Sequence, residues 1–132
     1  MSSVFTKIIA GDLPGHFVYR DEKAVAFLSI NPIRPGHVLV VPTAEVSHWV
    51  DLDEETNAHL MKIAQRVAKA QMAHLKRQRV GMIIAGFEVP HTHLHVVPIE
   101  SEGQLSFAHA AATVDHGELA KIAEALSKHL QG

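Results

Sequence analysis

The sequence contains no cysteine, few aromatic residues and no long apolar run. The absence of cysteine excludes disulfide bonds and thiolate metal sites, and it fits a reducing cytoplasm. No segment approaches the roughly 18 consecutive apolar residues of a membrane helix, and the first residues lack the apolar stretch of a signal peptide. The formal net charge of −2 gives no electrostatic reason to expect a nucleic-acid partner. We therefore expect a cytoplasmic protein that has neither a membrane nor a nucleic acid as its partner.

Three segments carry the sequence pattern of helices. Apolar residues at helical spacing predict a short helix over residues 4–9, which Ser3 can cap. A long helix is predicted to begin at Asp51, because Glu54 follows three residues later as in a capping box. A last helix begins at Asp115 by the same pattern.

Between these helices lie five short apolar runs that predict β-strands. The chain is long enough for one hydrophobic core, and 47% of its residues are apolar, so we predict a single domain over residues 1–132. The order α, β, β, β, α, β, β, α predicts an α+β fold. The predicted strands are residues 17–20, 24–28, 37–41, 80–85 and 89–98.

The last of these strands contains three histidines in strict alternation. His91, His93 and His95 are separated by Thr92 and Leu94, and prolines stand near both ends of the segment. Side chains on a strand point to opposite faces in turn, so the three imidazoles are predicted to form one row. The alternate residues are predicted to face a helix layer. A row of three imidazoles suggests a chemical function.

Two kinds of chemistry are compatible with this row. One is a metal site, since histidine is the commonest metal ligand. The other is nucleophilic catalysis by one imidazole that its neighbours orient. On a flat strand His91 and His95 would lie roughly 13 Å apart, so one ion could hardly bind all three. A metal would need further ligands, and His37 is the only other histidine in a motif-like position.

Several segments resemble the histidine-triad (HIT) family of nucleotide hydrolases and transferases. The His-x-His-x-His pattern followed by two apolar residues is that family's signature. Phe5–Ile9 with Leu13-Pro14 resembles its opening, and residues 26–32 and 35–42 resemble its second and third strands. The resemblance covers nearly the whole chain. It implies a HIT-like fold with a five-stranded, mainly antiparallel sheet, one long helix, a short N-terminal helix and a C-terminal helix.

The resemblance also implies roles for the histidines. His93 would attack the α-phosphorus of a nucleotide and form a covalent nucleotidyl-imidazole, which water would then hydrolyse. His95 would contact the phosphate oxygens, and His91 and His37 would complete the imidazole cluster around the phosphate. No metal and no other cofactor is needed for this scheme.

The family's nucleotide pocket can be carried over in the same way. The predicted nucleoside contacts are Val4, Phe5, Ile8, Leu13, Phe27, Leu28, Ser29, Ile30, Asn31, Glu88 and Val89. Two of these depart from the family pattern. Ser29 stands where the family usually has an Asp or Asn that binds the ribose, so Asn31 is expected to share that contact. Glu88 stands where a serine or threonine is usual, and its charge would repel a phosphate unless a histidinium were near.

Three functions follow from these observations. The leading hypothesis is a hydrolase of purine nucleotide conjugates, either phosphoramidates or dinucleoside polyphosphates, with an AMP-like substrate. The second is a nucleotide-binding regulatory module with little turnover, and the third is a metal-dependent hydrolase. The resemblance further implies a homodimer formed through the long helix and a sheet edge.

Overall fold

The computed structural model describes residues 2–131. In this part of the chain the helices are α1 (Val4–Ala10), α2 (Glu54–Leu75) and α3 (His116–Gln131). The strands are β1 (Phe17–Arg20), β2 (Ala24–Leu28), β3 (Val38–Pro42), β4 (Arg79–Ile83) and β5 (Leu94–Ile99). Their order along the chain is the predicted one, and the predicted α+β class is confirmed. None of the described helices is long and apolar enough to cross a membrane.

All five strands form one antiparallel sheet in the order β1-β2-β3-β5-β4. The central strand β3 is buried on both faces, as its almost wholly apolar sequence predicts. Val38 and Val40 belong to a core under α2 and α3, whereas Leu39 and Val41 belong to a second core under α1. The sheet therefore separates two layers, and α1 covers the face opposite to α2 and α3.

The histidine segment differs from the prediction at both ends. Strand β5 begins at Leu94, so His91 and His93 precede it. The His91 N–H donates to the Val89 carbonyl at 2.8 Å, and this tight turn replaces the predicted strand. Pro98 lies inside β5, beyond Val96, where the pairing with β3 ends. Leu94 and Val96 nevertheless face the α2 layer as predicted.

The cap of α2 was predicted two residues too early. Asp53 is the N-cap, and its carboxylate accepts the Thr56 N–H at 3.0 Å. Asp51 instead lies at the end of a 3₁₀ turn. Because several acidic residues stand close together here, the sequence alone does not show which of them caps the helix. The predicted caps of α1 and α3 are confirmed, since Ser3 accepts the Thr6 N–H and Asp115 accepts the N–H groups of the first turn.

Candidate active site

A cavity of about 500 Å³ opens on the α1 side of the sheet. His37, His93 and His95 line it, together with apolar side chains of α1 and of strand β2. Leu13, a predicted nucleoside contact, is 38% exposed and does not belong to the lining. The other predicted contacts in the lining are Val4, Phe5, Ile8, Phe27, Leu28, Ser29, Ile30, Asn31, Glu88 and Val89.

His93 is held in one orientation and one tautomer. Its Nδ1 lies 2.7 Å from the carbonyl oxygen of His91. Since a carbonyl only accepts hydrogen bonds, Nδ1 carries the proton and Nε2 of the neutral ring has a free lone pair. The Phe5 ring packs edge-on against the imidazole, with the ring centroids 4.9 Å apart. These contacts fix the ring and leave an unprotonated Nε2 atom, which is the kind of group that can act as a nucleophile.

His37 and His95 form a second oriented pair. The backbone N–H of Ile33 donates to Nδ1 of His37 at 3.0 Å, so the proton of the neutral His37 ring is on Nε2. This Nε2–H donates to Nδ1 of His95, also at 3.0 Å. The proton of the neutral His95 ring must therefore be on its own Nε2. The backbone N–H of Ile33 thus sets the tautomer of His37, and His37 in turn sets the tautomer of His95. As a result, His95 can donate only from its Nε2 atom.

Burial keeps these imidazoles uncharged. Desolvation lowers the pKa of His37 to about 3, with a further contribution from the neighbouring His95 and His93. Desolvation, followed by the charge of His93, lowers the pKa of His95 to about 4. The pKa of His93 is also lowered, chiefly by desolvation. All three rings are neutral at pH 7, so the site offers a lone pair on His93 and a hydrogen-bond donor on His95.

The ring of His91 does not reach the cavity, in contrast to the prediction that it joins the cluster around a phosphate. It is fully buried. Its Nε2–H donates to the carbonyl of Pro42 at 2.7 Å, and its Nδ1 accepts the hydroxyl of Ser3 at 2.7 Å. The turn before β5 directs the ring toward the end of β3. The contribution of His91 to the site is therefore the backbone carbonyl that orients His93.

Ser3 connects α1 to the histidine segment, a role that the sequence did not reveal. The same oxygen that bonds to His91 caps α1 by accepting the Thr6 N–H at 3.0 Å. Glu45 accepts from the Ser3 N–H at 2.6 Å and from the Thr6 hydroxyl at 2.7 Å, and these bonds lower its pKa. Residues 3 and 91 are far apart in the chain, so only the fold shows that the helix lining the cavity is tied to the imidazoles.

We expect Ser3→Ala to lower the free energy of unfolding by about 1–2 kcal/mol, because it removes both the α1 cap and the bond to buried His91. Urea unfolding of the variant and the parent measures the difference. Ser3→Thr keeps the hydroxyl and should restore most of the loss, and Ser2→Ala at the exposed neighbouring serine is the matched control. Equal unfolding midpoints for Ser3→Ala and Ser2→Ala would contradict this role.

The far wall of the cavity is formed by side chains of residues 107–112, none of which was predicted to contact a nucleotide. The Phe107 ring packs edge-on against His95, with the centroids 4.8 Å apart. The Asn31 side-chain amide donates to the carbonyls of Ala111 and Ala112 at 3.0 and 3.3 Å. The Asn31 N–H donates to the hydroxyl oxygen of Ser29. This wall was missed because its sequence has no regular apolar period.

Glu88 lies at the cavity mouth and is exposed. Its charge acts weakly on His93, whose pKa it raises less than burial lowers it. Phe87 beside it is 97% exposed.

Among residues 2–131, no three His, Asp or Glu side chains are grouped so that they could hold a metal ion.

Comparisons with known proteins match most of this chain to one family. Residues 10–102 match the HIT domain family. An uncharacterized HIT-like protein of Methanocaldococcus jannaschii is 36% identical, over 89% of this chain and 95% of its own. Adenosine 5′-monophosphoramidase of Saccharomyces cerevisiae is 32% identical, over 98% of this chain and 83% of its own. A zinc-bound histidine triad family protein from Mycobacterium smegmatis superposes with a TM-score of 0.82 at 31% identity, and covers 99% of this chain and 94% of its own. The chain belongs to the histidine-triad family.

Proposed function

We propose that this protein hydrolyses purine nucleotide conjugates, phosphoramidates or dinucleoside polyphosphates, through a covalent intermediate on His93. The observation that carries the proposal is the orientation of His93. Its Nδ1–H is bonded to a backbone carbonyl, so the Nε2 lone pair belongs to a neutral ring that lines the cavity. A nucleophile of this kind divides one difficult displacement at phosphorus into two easier ones.

In the first step, Nε2 of His93 attacks the α-phosphorus and the bond to the leaving group breaks. In the second, water attacks the same phosphorus, the P–N bond to His93 breaks, and the nucleoside monophosphate leaves. The leaving group takes up a proton and the water gives one up, so the sum is hydrolysis. We assign to the Nε2–H of His95 a hydrogen bond to a phosphate oxygen, where it would stabilise negative charge in the transition state.

The cavity supports a nucleoside as the bound portion of the substrate. Its volume of about 500 Å³ is within the range of small-molecule sites. Apolar side chains of α1 and β2, with Phe5 and Phe27 among them, provide faces for a purine base. Ser29 is only 8% exposed and lines the cavity, and we assign to its hydroxyl the contact with the ribose. The name of the yeast relative, adenosine 5′-monophosphoramidase, supports an adenine nucleotide joined to an amine.

A nucleotide-binding module with little turnover is the second candidate, and two observations favour it. The carboxylate of Glu88 lines the cavity and would repel the phosphate of a substrate. The amide of Asn31 is already bonded to residues 111 and 112, which weakens the ribose contact expected of it.

Incubation with adenosine 5′-phosphoramidate separates the two candidates. We expect release of AMP that continues over many turnovers and persists after thorough chelation. Loss of activity on chelation would favour a metal-dependent hydrolase instead. If AMP bound tightly by calorimetry while neither the phosphoramidate nor a dinucleoside polyphosphate were hydrolysed, the binding module would be the correct function.

We also propose that the protein is a homodimer that pairs through β4 and α2. β4 is an edge strand of the sheet, and an unpaired edge can pair with a second copy. α3 packs over β1 and β2 and so leaves the β4 side of α2 open. Met61 and Met72 are large apolar side chains on α2, 54% and 39% exposed.

Light scattering should therefore give a mass twice the 14.4 kDa of one chain. Met61→Glu should shift the protein toward the monomer, because it places a charge among the exposed apolar side chains of the proposed interface. Lys62→Glu, an exposed position on the neighbouring charged face, is the control and should leave the mass unchanged. A parent protein of monomeric mass at micromolar concentration would refute the dimer.

A further inference from the structure

Gln71 is a fully buried polar side chain one turn before the C-terminal end of α2. Its neighbours on the same face of the helix are apolar core residues such as Val67 and Ala70. A primary amide in such a place is unfavourable unless it is hydrogen-bonded. Its Nε2 donates to two backbone carbonyls, that of Gly36 at 2.8 Å and that of Val96 at 3.0 Å. One side chain of α2 therefore bonds two backbone positions, one just before β3 and one in β5.

These two carbonyls lie at the end of the ladder between β3 and β5. The pairing of the two strands ends at Val38 and Val96. Before Val38 the chain turns away at Gly36, whose φ of 89° lies in the left-handed region. The NH₂ group of Gln71 can donate twice, so it holds both strands where the ladder stops.

Gly36 allows the close approach that this bridge needs. A Cβ atom at residue 36 would lie 2.2 Å from Cδ1 of Leu75 in the last turn of α2. The backbone of the turn before β3 is thus pressed against the helix, within reach of Gln71 one turn earlier. A side chain at residue 36 would separate the helix from this turn.

The bridged residues are the direct chain neighbours of two histidines in the cavity. Gly36 precedes His37, and Val96 follows His95. The rings of these histidines lie on the opposite face of the sheet, with the donor Nε2 of His37 3.0 Å from the acceptor Nδ1 of His95. This bond weakens as the two strands move apart, and it weakens steeply if the rings rotate away from a favourable donor angle.

We infer that Gln71 is a positioning residue: from behind the sheet it fixes the separation of His37 and His95, and thereby the direction of the His95 Nε2–H donor. The expected effect on catalysis rests on the proposed function, whereas the effect on the spacing and tautomers of His37 and His95 does not. The orientation of the amide is itself determined, because exchanging its oxygen and nitrogen would set an oxygen against two carbonyl oxygens. The Oε1 atom is buried without a hydrogen-bond partner among the described residues. An apolar residue would avoid that unsatisfied group, but it would leave the carbonyls of Gly36 and Val96 without this donor.

The test replaces Gln71 with methionine, which keeps the volume of the side chain and removes both donors. Two-bond ¹H–¹⁵N spectra of the histidine rings report the tautomers. In the parent we expect His37 and His95 both as the Nε2–H tautomer. In Gln71→Met we expect mixed tautomers at these two rings, while His93 keeps its Nδ1–H. For the phosphoramidate we expect kcat to fall about 10- to 100-fold with little change in KM, because the substrate still binds but the donor is misplaced.

Val67→Ala is the matched control, a buried position one turn earlier on α2. It loosens the same core without touching either carbonyl, and should keep the parent tautomers although it unfolds more easily. Gln71→Leu is a second variant without donors. The test can be made with either Gln71→Met or Gln71→Leu, provided that the variant is folded. Parent tautomers in the Gln71 variant would overturn the inference, and so would mixed tautomers in Val67→Ala. Because the spectra need no substrate, they test the inference even if the parent hydrolyses nothing, an outcome that would refute only the proposed function.

Discussion

Replacing His93 with alanine should lower kcat for adenosine 5′-phosphoramidate by about 10⁴- to 10⁶-fold. The variant lacks the proposed nucleophile, and the other imidazoles cannot take its place. His37 uses both ring nitrogens in hydrogen bonds to Ile33 and His95. His91 points away from the cavity. His95 has its lone pair turned toward His37, so its free nitrogen carries a proton. Steady-state release of AMP by the variant and the parent measures the effect.

Binding of AMP should survive this substitution. The apolar lining from α1 and β2 remains, and only one ring at the phosphate end is lost. Calorimetry should therefore give an affinity for AMP within about tenfold of the parent's, because one contact among many is removed. His48→Ala, at an exposed histidine outside the cavity, controls for loss of an imidazole as such. Turnover by His93→Ala at the parent rate would eliminate the covalent mechanism.

The proposed covalent intermediate can be tested directly. Mixing enzyme and substrate and quenching within milliseconds should give an acid-labile nucleotidyl adduct on the peptide that contains His93, since a phosphorus–nitrogen bond to imidazole forms before water attacks. The adduct should be absent from His93→Ala and present in His48→Ala. A burst of leaving group equal to the amount of enzyme would accompany it. Its absence in a parent enzyme that turns over would point to direct attack by water.

The face on which the histidines lie could be predicted from the sequence, whereas the role of His91 could not. Alternation along a strand fixes which side chains share a face, and His93 and His95 do share the face of α1. The same rule fails at His91, because the chain bends up to this residue, and the bonds of His91 to Val89 and of Thr92 to Val46 hold it there. A tertiary contact here overrides the local pattern.

The contacts of the residues that support the site could not be predicted, for a related reason. Ser3 has the sequence signature of a helix cap, and it is one, but its second bond reaches a histidine 88 residues away. Gln71 lies on the apolar face of α2, four residues from both Val67 and Leu75, but no local signal identifies the two carbonyls that it bonds. Phe107 belongs to a segment without a regular apolar period. In each case the partner is distant in the chain, so only the folded arrangement identifies the contact.

The protein should become less stable as the pH falls below neutrality, because three buried imidazoles resist protonation in the native state. In the unfolded chain a histidine titrates near pH 6.5, whereas burial lowers the native pKa of His37 to about 3 and that of His95 to about 4. Between those values the unfolded state binds more protons, so protonation favours unfolding. The stability that these neutral imidazoles contribute is fully present above pH 6.5 and is lost as the pH falls toward 4.

From pH 7.5 to 5.5 these two groups should lower the free energy of unfolding by about 3 kcal/mol, since each contributes roughly 1.4 kcal/mol. His93, shifted in the same direction, adds to the loss. The pKa of Asp21 is lowered to about 2, because hydrogen bonds outweigh its burial, so this carboxylate contributes only below the window.

Urea unfolding at half-unit steps of pH measures this dependence. His37→Gln removes one titrating group, and it should reduce the slope by about 1.4 kcal/mol per pH unit below pH 6, whatever it does to the stability at pH 7.5. A stability independent of pH over this window would mean that the imidazoles take up protons freely in the folded protein. His93 would then be charged during part of that range, and its lone pair would not be available for attack.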